Sequence, residues 1–384
     1  MNNFRFYANT EILFGRDQED KLTDVIKRYG NKVLLTYGGG SIKKIGLYDK
    51  VMSKLKDFEV YELAGIEPNP RVESARKGIE ICKEHNIDVI LAVGGGSTLD
   101  CSKLIAAGAK NENDAWELVK NPSLINDALP LVTILTLSAT GSEMNAGGVI
   151  SKMDTNEKLG FGNPHCLPKV SILNPENTFT VSKYQTAAGS VDIMSHIMET
   201  YFQNASSPVS ERLAEGLMKT IIEFAPKAIS NPNDYEARAS LMWASSLGLN
   251  GLLSCGLGGP WSCHPLEHEL SAYYDITHGV GLAILTPRWM EYVLCDKTVS
   301  RFAQYGKNVW NINLENEYDI AKKAIELTYD FFKSLDLPMT LSELNISDEY
   351  FKDMAKHVMA IKRLDKAFYP LNEDDCINIL KMCL

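Results

Sequence analysis

Long apolar runs are absent from the 384 residues: no stretch reaches the roughly 18 residues that a membrane-spanning helix needs. The start, Met1-Asn2-Asn3-Phe4-Arg5-Phe6, lacks the charged-then-apolar pattern of a secretion leader, so a cytoplasmic protein without membrane contact is expected. Positive charge is in deficit. Lys and Arg total 39 against 49 Asp and Glu, and the net charge of -10 argues against a nucleic-acid or anionic-membrane partner. The eight cysteines, at 82, 101, 166, 255, 263, 295, 376 and 383, form no C-x-x-C pair and no regular spacing. In a reducing compartment they read as small buried residues, Cys263 included, although it adjoins a histidine of interest.

Histidine is scarce too, with seven in the chain, and their distribution is therefore informative. Asp192 and His196 stand four residues apart on an expected helix, His264 and His268 repeat that spacing, and His278 follows. Residues i and i+4 share a helical face, so each pair can point two groups at one spot. One carboxylate with up to three imidazoles suits iron(II) or zinc, with positions left for water or substrate, which makes a catalytic site rather than a structural one. A single histidine is more often a satisfied core residue; the clustering reverses that reading. His85 and His357 sit in charged helical stretches and read as surface residues, while His165, in a Pro-flanked loop, is left open.

Two strand-like runs end in glycine. Lys32 to Tyr37 leads into Gly38, Gly39, Gly40 and Ser41; Asp88 to Val93 leads into Gly94, Gly95, Gly96 and Ser97. Short β-branched runs of this kind read as buried parallel strands. Ser97 is expected to cap a helix through Ala109, with Asp100 completing a capping box. Bare backbone at a helix N-terminus lets amide groups approach a phosphate, so a pyrophosphate fits at Gly95 to Ser97. The common dinucleotide fingerprint fails, because position 99 is Leu. A third run, Leu131 to Thr136, ends in Ser138, Thr140, Gly141 and Ser142, hydroxyls suited to a cleft rim.

Organisation changes near residue 180. Apolar strands alternate with amphipathic helices such as Arg71 to Asn86 before it, and helical periodicity dominates after it, over Val209 to Ala228, Tyr235 to Leu253 and Glu317 to Leu335. The expected domains are an α/β dinucleotide-binding domain over 1–183 and a helical metal-binding domain over 184–384. With no long linker, they are expected to pack around a cleft.

Together these motifs resemble the iron-containing (group III) alcohol dehydrogenases, most closely their butanol dehydrogenase branch, over essentially the whole length. Phe14-Gly15, Gly65-Ile66-Glu67-Pro68-Asn69-Pro70, Gly94 to Ser97 with Asp100, Thr140-Gly141-Ser142-Glu143, Asp192 with His196, and His264, His268 and His278-Gly279 carry the resemblance. It implies a Rossmann-like N-terminal domain with a parallel sheet, an all-helical C-terminal domain in the dehydroquinate synthase-like architecture, one divalent metal, and NAD(P)-linked interconversion of alcohols and aldehydes. By the same resemblance Asp192, His196, His264 and His278 match the metal ligands, and His268 matches a residue beside the substrate, a candidate proton relay. Gly94, Gly95, Gly96 and Ser97 match the pyrophosphate turn; Asp100, Thr136, Ser138 and Asn145 fall in the nicotinamide and ribose pocket, and Lys158 at a cofactor hydroxyl. A homodimer is implied as well, for which a first strand at Phe4 to Phe6 offers one means of pairing.

The turn Gly38, Gly39, Gly40, Ser41, with Lys43 and Lys44 behind it, shows no acidic residue to repel a 2′-phosphate, which favours NADP(H) over NAD(H). Trp261, Tyr273, Tyr274, Leu257 and Leu266 offer an apolar wall for a short aliphatic chain. No Arg and Lys cluster stands beside the histidines for a phosphorylated substrate. A dehydroquinate synthase-like lyase and a metal-dependent hydrolase are the alternatives; the hydrolase leaves the glycine turns unexplained. Iron and zinc are not separated by this ligand set.

Overall fold

The computed structural model describes residues 1–384. They form two compact units: Tyr7–Val181 with Pro232–Ser246, and Met1–Phe6 with Ser182–Asn231 and Leu247–Leu384. The principal break lies beside the expected boundary at 183, but a single cut misses two exchanges. The N-terminal hexapeptide goes with the helices, and Pro232–Ser246 goes with the sheet.

The α/β unit holds strands β1 (Glu11–Phe14), β2 (Lys32–Tyr37), β3 (Glu59–Leu63), β4 (Val89–Gly94), β5 (Leu131–Leu135), β6 (Gly147–Lys152), β7 (Glu157–Gly162) and β8 (Val170–Leu173). Six of them make one parallel sheet in the order β1-β8-β5-β4-β2-β3, while β6 and β7 form a separate antiparallel pair. Side chains alternate between two apolar layers. Leu34, Ile90, Ala92 and Leu131 face helices α4 (Val72–His85), α5 (Gly96–Ala109) and α6 (Ala115–Lys120). Val33, Leu35, Leu91, Val132 and Ile134 face α1 (Leu22–Lys27), α2 (Ser41–Lys44) and α3 (Leu47–Lys54). Because both faces are covered, the central strands read as near-continuous apolar runs. Their few polar side chains are paired: Thr36 with Ser102 at 2.7 Å and Thr133 with Ser171 at 2.7 Å.

After β2 the chain adds β3 on one side, then returns to place β4 on the other, which makes a topological switch point between β2 and β4. Open α/β sheets bind ligands at the carboxyl ends of strands at such a point. Both glycine turns leave these two strand ends, since Tyr37 and Val93 are register partners.

The other unit is built from α7 (Lys183–Tyr201), α8 (Pro208–Ser230), the end of α9 (Tyr235–Leu249), α10 (Cys263–Tyr274), α11 (His278–Val293), α12 (Val299–Trp310), α13 (Glu317–Ser334), α14 (Phe351–Ile361) and α15 (Glu373–Met382). Ser182 starts α7 by accepting the Gln185 N–H at 3.2 Å. From Thr186 to Tyr201 every residue of α7 is buried, so this is the central helix of its unit. No helix is long and apolar enough to cross a membrane.

Three local expectations are corrected. Phe4 to Phe6 form no strand; the Asn2 N–H bonds the Gly256 carbonyl at 2.9 Å instead, and Phe4 and Phe6 stay exposed. Ser97 does not cap α5, whose N-cap is Gly95 without a side-chain bond, and the Asp100 carboxylate turns to other partners. Helix α9 stops at Leu249, short of Leu253.

Candidate active site

In the helical unit, Asp192 and His196 project from one stripe of α7, His264 from the first turn of α10, and His278 from the first residue of α11. One donor atom from each lies within 4.8 Å of all the others. Asp192 Oδ1 is the common centre, 3.6 Å from His196 Nδ1, 3.8 Å from His264 Nε2 and 3.6 Å from His278 Nε2. Neither Asp192 Oδ1 nor His264 Nε2 makes a hydrogen bond, although both are buried. An unsatisfied buried polar atom costs about 1–3 kcal/mol, a cost that a shared cation removes. The donor set and these two atoms fit a divalent transition metal.

Electrostatics agree. Burial would raise the Asp192 carboxyl, yet the imidazoles of His196, His278 and His264 hold it well below the usual carboxylate range. Burial pushes His196 down to about 3, against the pull of Asp192. Burial also opposes protonation of His264, but the neighbouring carboxylates of Asp192, at 3.8 Å, and Glu199, at 3.2 Å, overcome it and lift this histidine to about 9. Without an ion the site thus keeps an anion beside a neutral His196 and a protonated His264, whose proton a bound cation would replace. Trp261 lies against two of them, its ring 4.8 Å from that of His264 and 5.8 Å from that of His196. Leu257 and Leu266 are buried, whereas Tyr273 and Tyr274 pack on Tyr350. His268 lies one turn beyond His264, 5.5 Å from His278 between ring centroids, and joins Glu267 and His278 in a second close group.

Two carboxylates here escaped the sequence reading. Glu199 accepts the Ser262 and His264 N–H groups at 2.8 and 2.7 Å and touches His264 Nδ1 at 3.2 Å; Glu267 bonds His278 Nδ1. Helical spacing was the available signal, since Glu199 follows Asp192 by seven residues and Glu267 follows His264 by three. Of the histidines left aside, His165 is exposed and His85 stacks on Tyr61, but His357 is not simply solvated: its Nδ1 bonds Glu269 at 2.9 Å.

The α/β unit gathers the other group of expected residues. Gly94 to Ser97 run from the end of β4 into the first turn of α5, and a Cβ at Gly96 would overlap Thr140 Oγ1, so that backbone must stay bare. Thr136 is anchored to this turn by its N–H, 3.0 Å from the Gly94 carbonyl. Ser138 is half-buried just beyond β5, and Lys158 is buried on β7. Asp100 accepts the Ser142 hydroxyl at 2.6 Å and the Val149 N–H at 2.9 Å. Beneath them Lys103, which the sequence reading passed over, is fully buried and donates to Ser142 Oγ, Asn145 Oδ1 and the Gly147 carbonyl at 2.8, 2.9 and 2.6 Å. Burial lowers it to about 8, with Asp100 pulling the other way.

Around Gly38 to Ser41 one expectation changes. A carboxylate does stand near this turn: Glu62, at the end of β3, accepts the Tyr37 and Tyr48 hydroxyls at 2.7 and 2.9 Å. The Lys43 ammonium lies over both rings, 5.2 and 4.5 Å from their centroids. The acid comes from a neighbouring strand, which sequence proximity to the turn does not reveal.

Comparison with known proteins identifies the family and the fold. The family model for iron-containing alcohol dehydrogenase matches residues 9–175, and that for the Fe-containing alcohol dehydrogenase family, C-terminal, matches residues 186–384. The chain is 51% identical to NADH-dependent butanol dehydrogenase A of Clostridium acetobutylicum, over 99% of each protein. Identity to an NADPH-dependent aldehyde reductase of Escherichia coli is 40%, over 90% of each. Its fold matches the crystal structure of NADH-dependent butanol dehydrogenase A from Thermotoga maritima with a TM-score of 0.95 at 39% identity, covering 100% of this chain and 99% of the other. The chain belongs to the iron-containing alcohol dehydrogenase family.

Proposed function

We propose that Asp192, His196, His264 and His278 hold the divalent ion with which this metal-dependent, NAD(P)-linked alcohol dehydrogenase interconverts short-chain primary alcohols, such as butanol, and their aldehydes. The observation that carries the reading is the convergence of four donor atoms within 4.8 Å around a buried Asp192 Oδ1 that lacks a hydrogen bond. Family membership sets redox chemistry ahead of the lyase and hydrolase alternatives. When bound, the ion supplies Lewis acidity at the substrate oxygen and the nicotinamide supplies or takes the hydride.

The chain's own groups do the rest. Backbone amides of Gly95, Gly96 and Ser97 bind the pyrophosphate at the positive end of α5. Thr136, Ser138 and Lys158 contact the nicotinamide and its ribose, and Asp100 and Asn145 fix that wall through the network they share with Ser142 and Lys103. His268 passes the proton between the substrate oxygen and solvent. Leu257, Trp261 and Leu266 favour an aliphatic chain.

For the adenosine end we put forward NADP(H) over NAD(H). Gly38, Gly39, Gly40 and Ser41 with the Lys43 cation suit a 2′-phosphate, and the Glu62 carboxylate is engaged by two tyrosines. A preference for NADH is the second reading, favoured by the relative that is 51% identical and named NADH-dependent. We also put forward a cytoplasmic location, where eight free thiols remain reduced, and a homodimer, for which exposed Phe4, Phe6 and Tyr7 offer apolar surface.

Anaerobic oxidation of NADPH with butanal tests the whole reading, using chelator-treated protein before and after reloading with iron(II) or zinc. Activity is expected to vanish and return with metal. Turnover indifferent to stripping sinks the metal assignment, and a higher kcat/KM with NADH than with NADPH decides for the second cofactor reading.

A further inference from the structure

The carboxylates behind the histidines remain to be explained. An ionised carboxylate only accepts hydrogen bonds, so a ring nitrogen paired with one must carry the hydrogen. Glu199 sits at His264 Nδ1 and Glu267 at His278 Nδ1. In both rings the remaining nitrogen is Nε2, the atom that faces Asp192 Oδ1 at 3.8 and 3.6 Å. The same tautomer is therefore imposed twice, from two different helices.

Both acids are built in. Glu199 takes the N–H groups of Ser262 and His264, which open α10, and the Ser262 side chain makes no capping bond there. One carboxylate from α7 thus sets where α10 begins and how its first histidine turns. Glu267 is fully buried, receives the Ser271 hydroxyl on its other oxygen, and is pressed by α11 at Gly281, where an added Cβ would come within 2.7 Å of its Cγ. Neither acid is among the four residues proposed to touch the ion.

We infer that Glu199 and Glu267 are positioning residues, which lock His264 and His278 in the Nδ1–H tautomer and thereby set how tightly and how long a divalent ion is held. The inference rests on the ligand reading above. Partners of this kind typically change metal affinity by about 10- to 100-fold when replaced. A purely structural role predicts lower stability of the metal-free protein with no change in affinity.

The test is chelator competition with zinc, giving Kd and off-rate for the full-length protein, Glu199→Gln, Glu267→Gln and Glu267→Ala, alongside the melting temperature of each metal-free form. Both Gln variants should melt like the wild type yet bind zinc roughly 10- to 100-fold more weakly, and Glu267→Ala more weakly still. Affinity within about twofold of wild type in both Gln variants overturns the inference. His264→Ala serves as the separate control: retention of one zinc per chain in that variant overturns the ligand reading instead. Nitrogen-15 NMR of histidine-labelled, zinc-loaded wild type needs no variant at all. Protons on Nδ1 of His264 and His278 are expected, and a proton on Nε2 of either overturns the inference even if a substitution fails to fold.

Discussion

His268 shares a helical face with His264 but stands outside the four-donor cluster, and this separation divides their expected phenotypes. A proton relay contributes about 10²- to 10⁴-fold to turnover, while a metal ligand contributes the ion itself. His268→Ala is therefore expected to lose at least about 100-fold in kcat with one metal per chain retained. Metal analysis and single-turnover rates on the same preparation check it, and a variant with wild-type kcat removes His268 from the chemistry. His357 shows how burial changes a reading: a histidine in a charged stretch looks solvated until Glu269 is found against it. Lys103 makes the same point, because a lysine between Ser102 and Leu104 gives no hint that it will satisfy three acceptors inside the protein.

The four donor atoms proposed to hold the ion converge where α11 starts against the backbone of α7. A Cβ on Gly279 would overlap the Ala188 carbonyl oxygen and lie 2.6 Å from its carbon, which is rigid helix backbone one turn before Asp192. Gly279→Ala must then push the start of α11 away and carry His278 with it. We expect that variant to keep its helical circular dichroism while losing at least about tenfold in zinc affinity, which chelator competition measures; undiminished affinity would show that α11 does not position its histidine through this contact. At this scale the sequence was most legible where one period ran unbroken. The runs Lys32–Tyr37 and Leu131–Leu135 became central strands, and Asp192 with His196 fell on one face because their spacing is that of one helical turn. The β6–β7 pair was missed because Gly147, Gly148, Gly160 and Gly162 dilute the strand pattern. Nothing local in Pro232–Ser246 reveals its place with the sheet, which depends on distant partners: Trp243 packs on Phe14, and Ser246 bonds Glu143. Glu199 and Glu267 carried the right spacing, but a carboxylate on a helix ordinarily reads as solvated, and only packing shows that these two are not.

For the molecule as a whole, the thiols set an alkaline limit. Cys82, Cys101, Cys166, Cys263, Cys376 and Cys383 are free and buried. Burial raises each above its ordinary value of 9.0, with Cys166 pushed up to about 11 and Cys82, Cys376 and Cys383 to about 12. The folded chain keeps these protons past the pH at which the unfolded chain releases them. Stability from this source is fully present below pH 9, falls as pH rises, and levels off only above the folded values. Tyr201 and Tyr305, also raised chiefly by burial, act in the same direction above pH 10. Each group costs about 1.4 kcal/mol per pH unit inside its window. Domains are stable by only about 5–15 kcal/mol, so six thiols acting in the same direction lower stability markedly as pH rises above 9. Urea unfolding under excess reductant is expected to show a far lower midpoint at pH 10 than at pH 8, and Cys376→Ala with Cys383→Ala should flatten that dependence by about two protons. Equal midpoints at the two pH values would mean that the thiols ionise within the fold, and iodoacetamide labelling of the native protein at pH 10 would then reveal which of them are open to solvent.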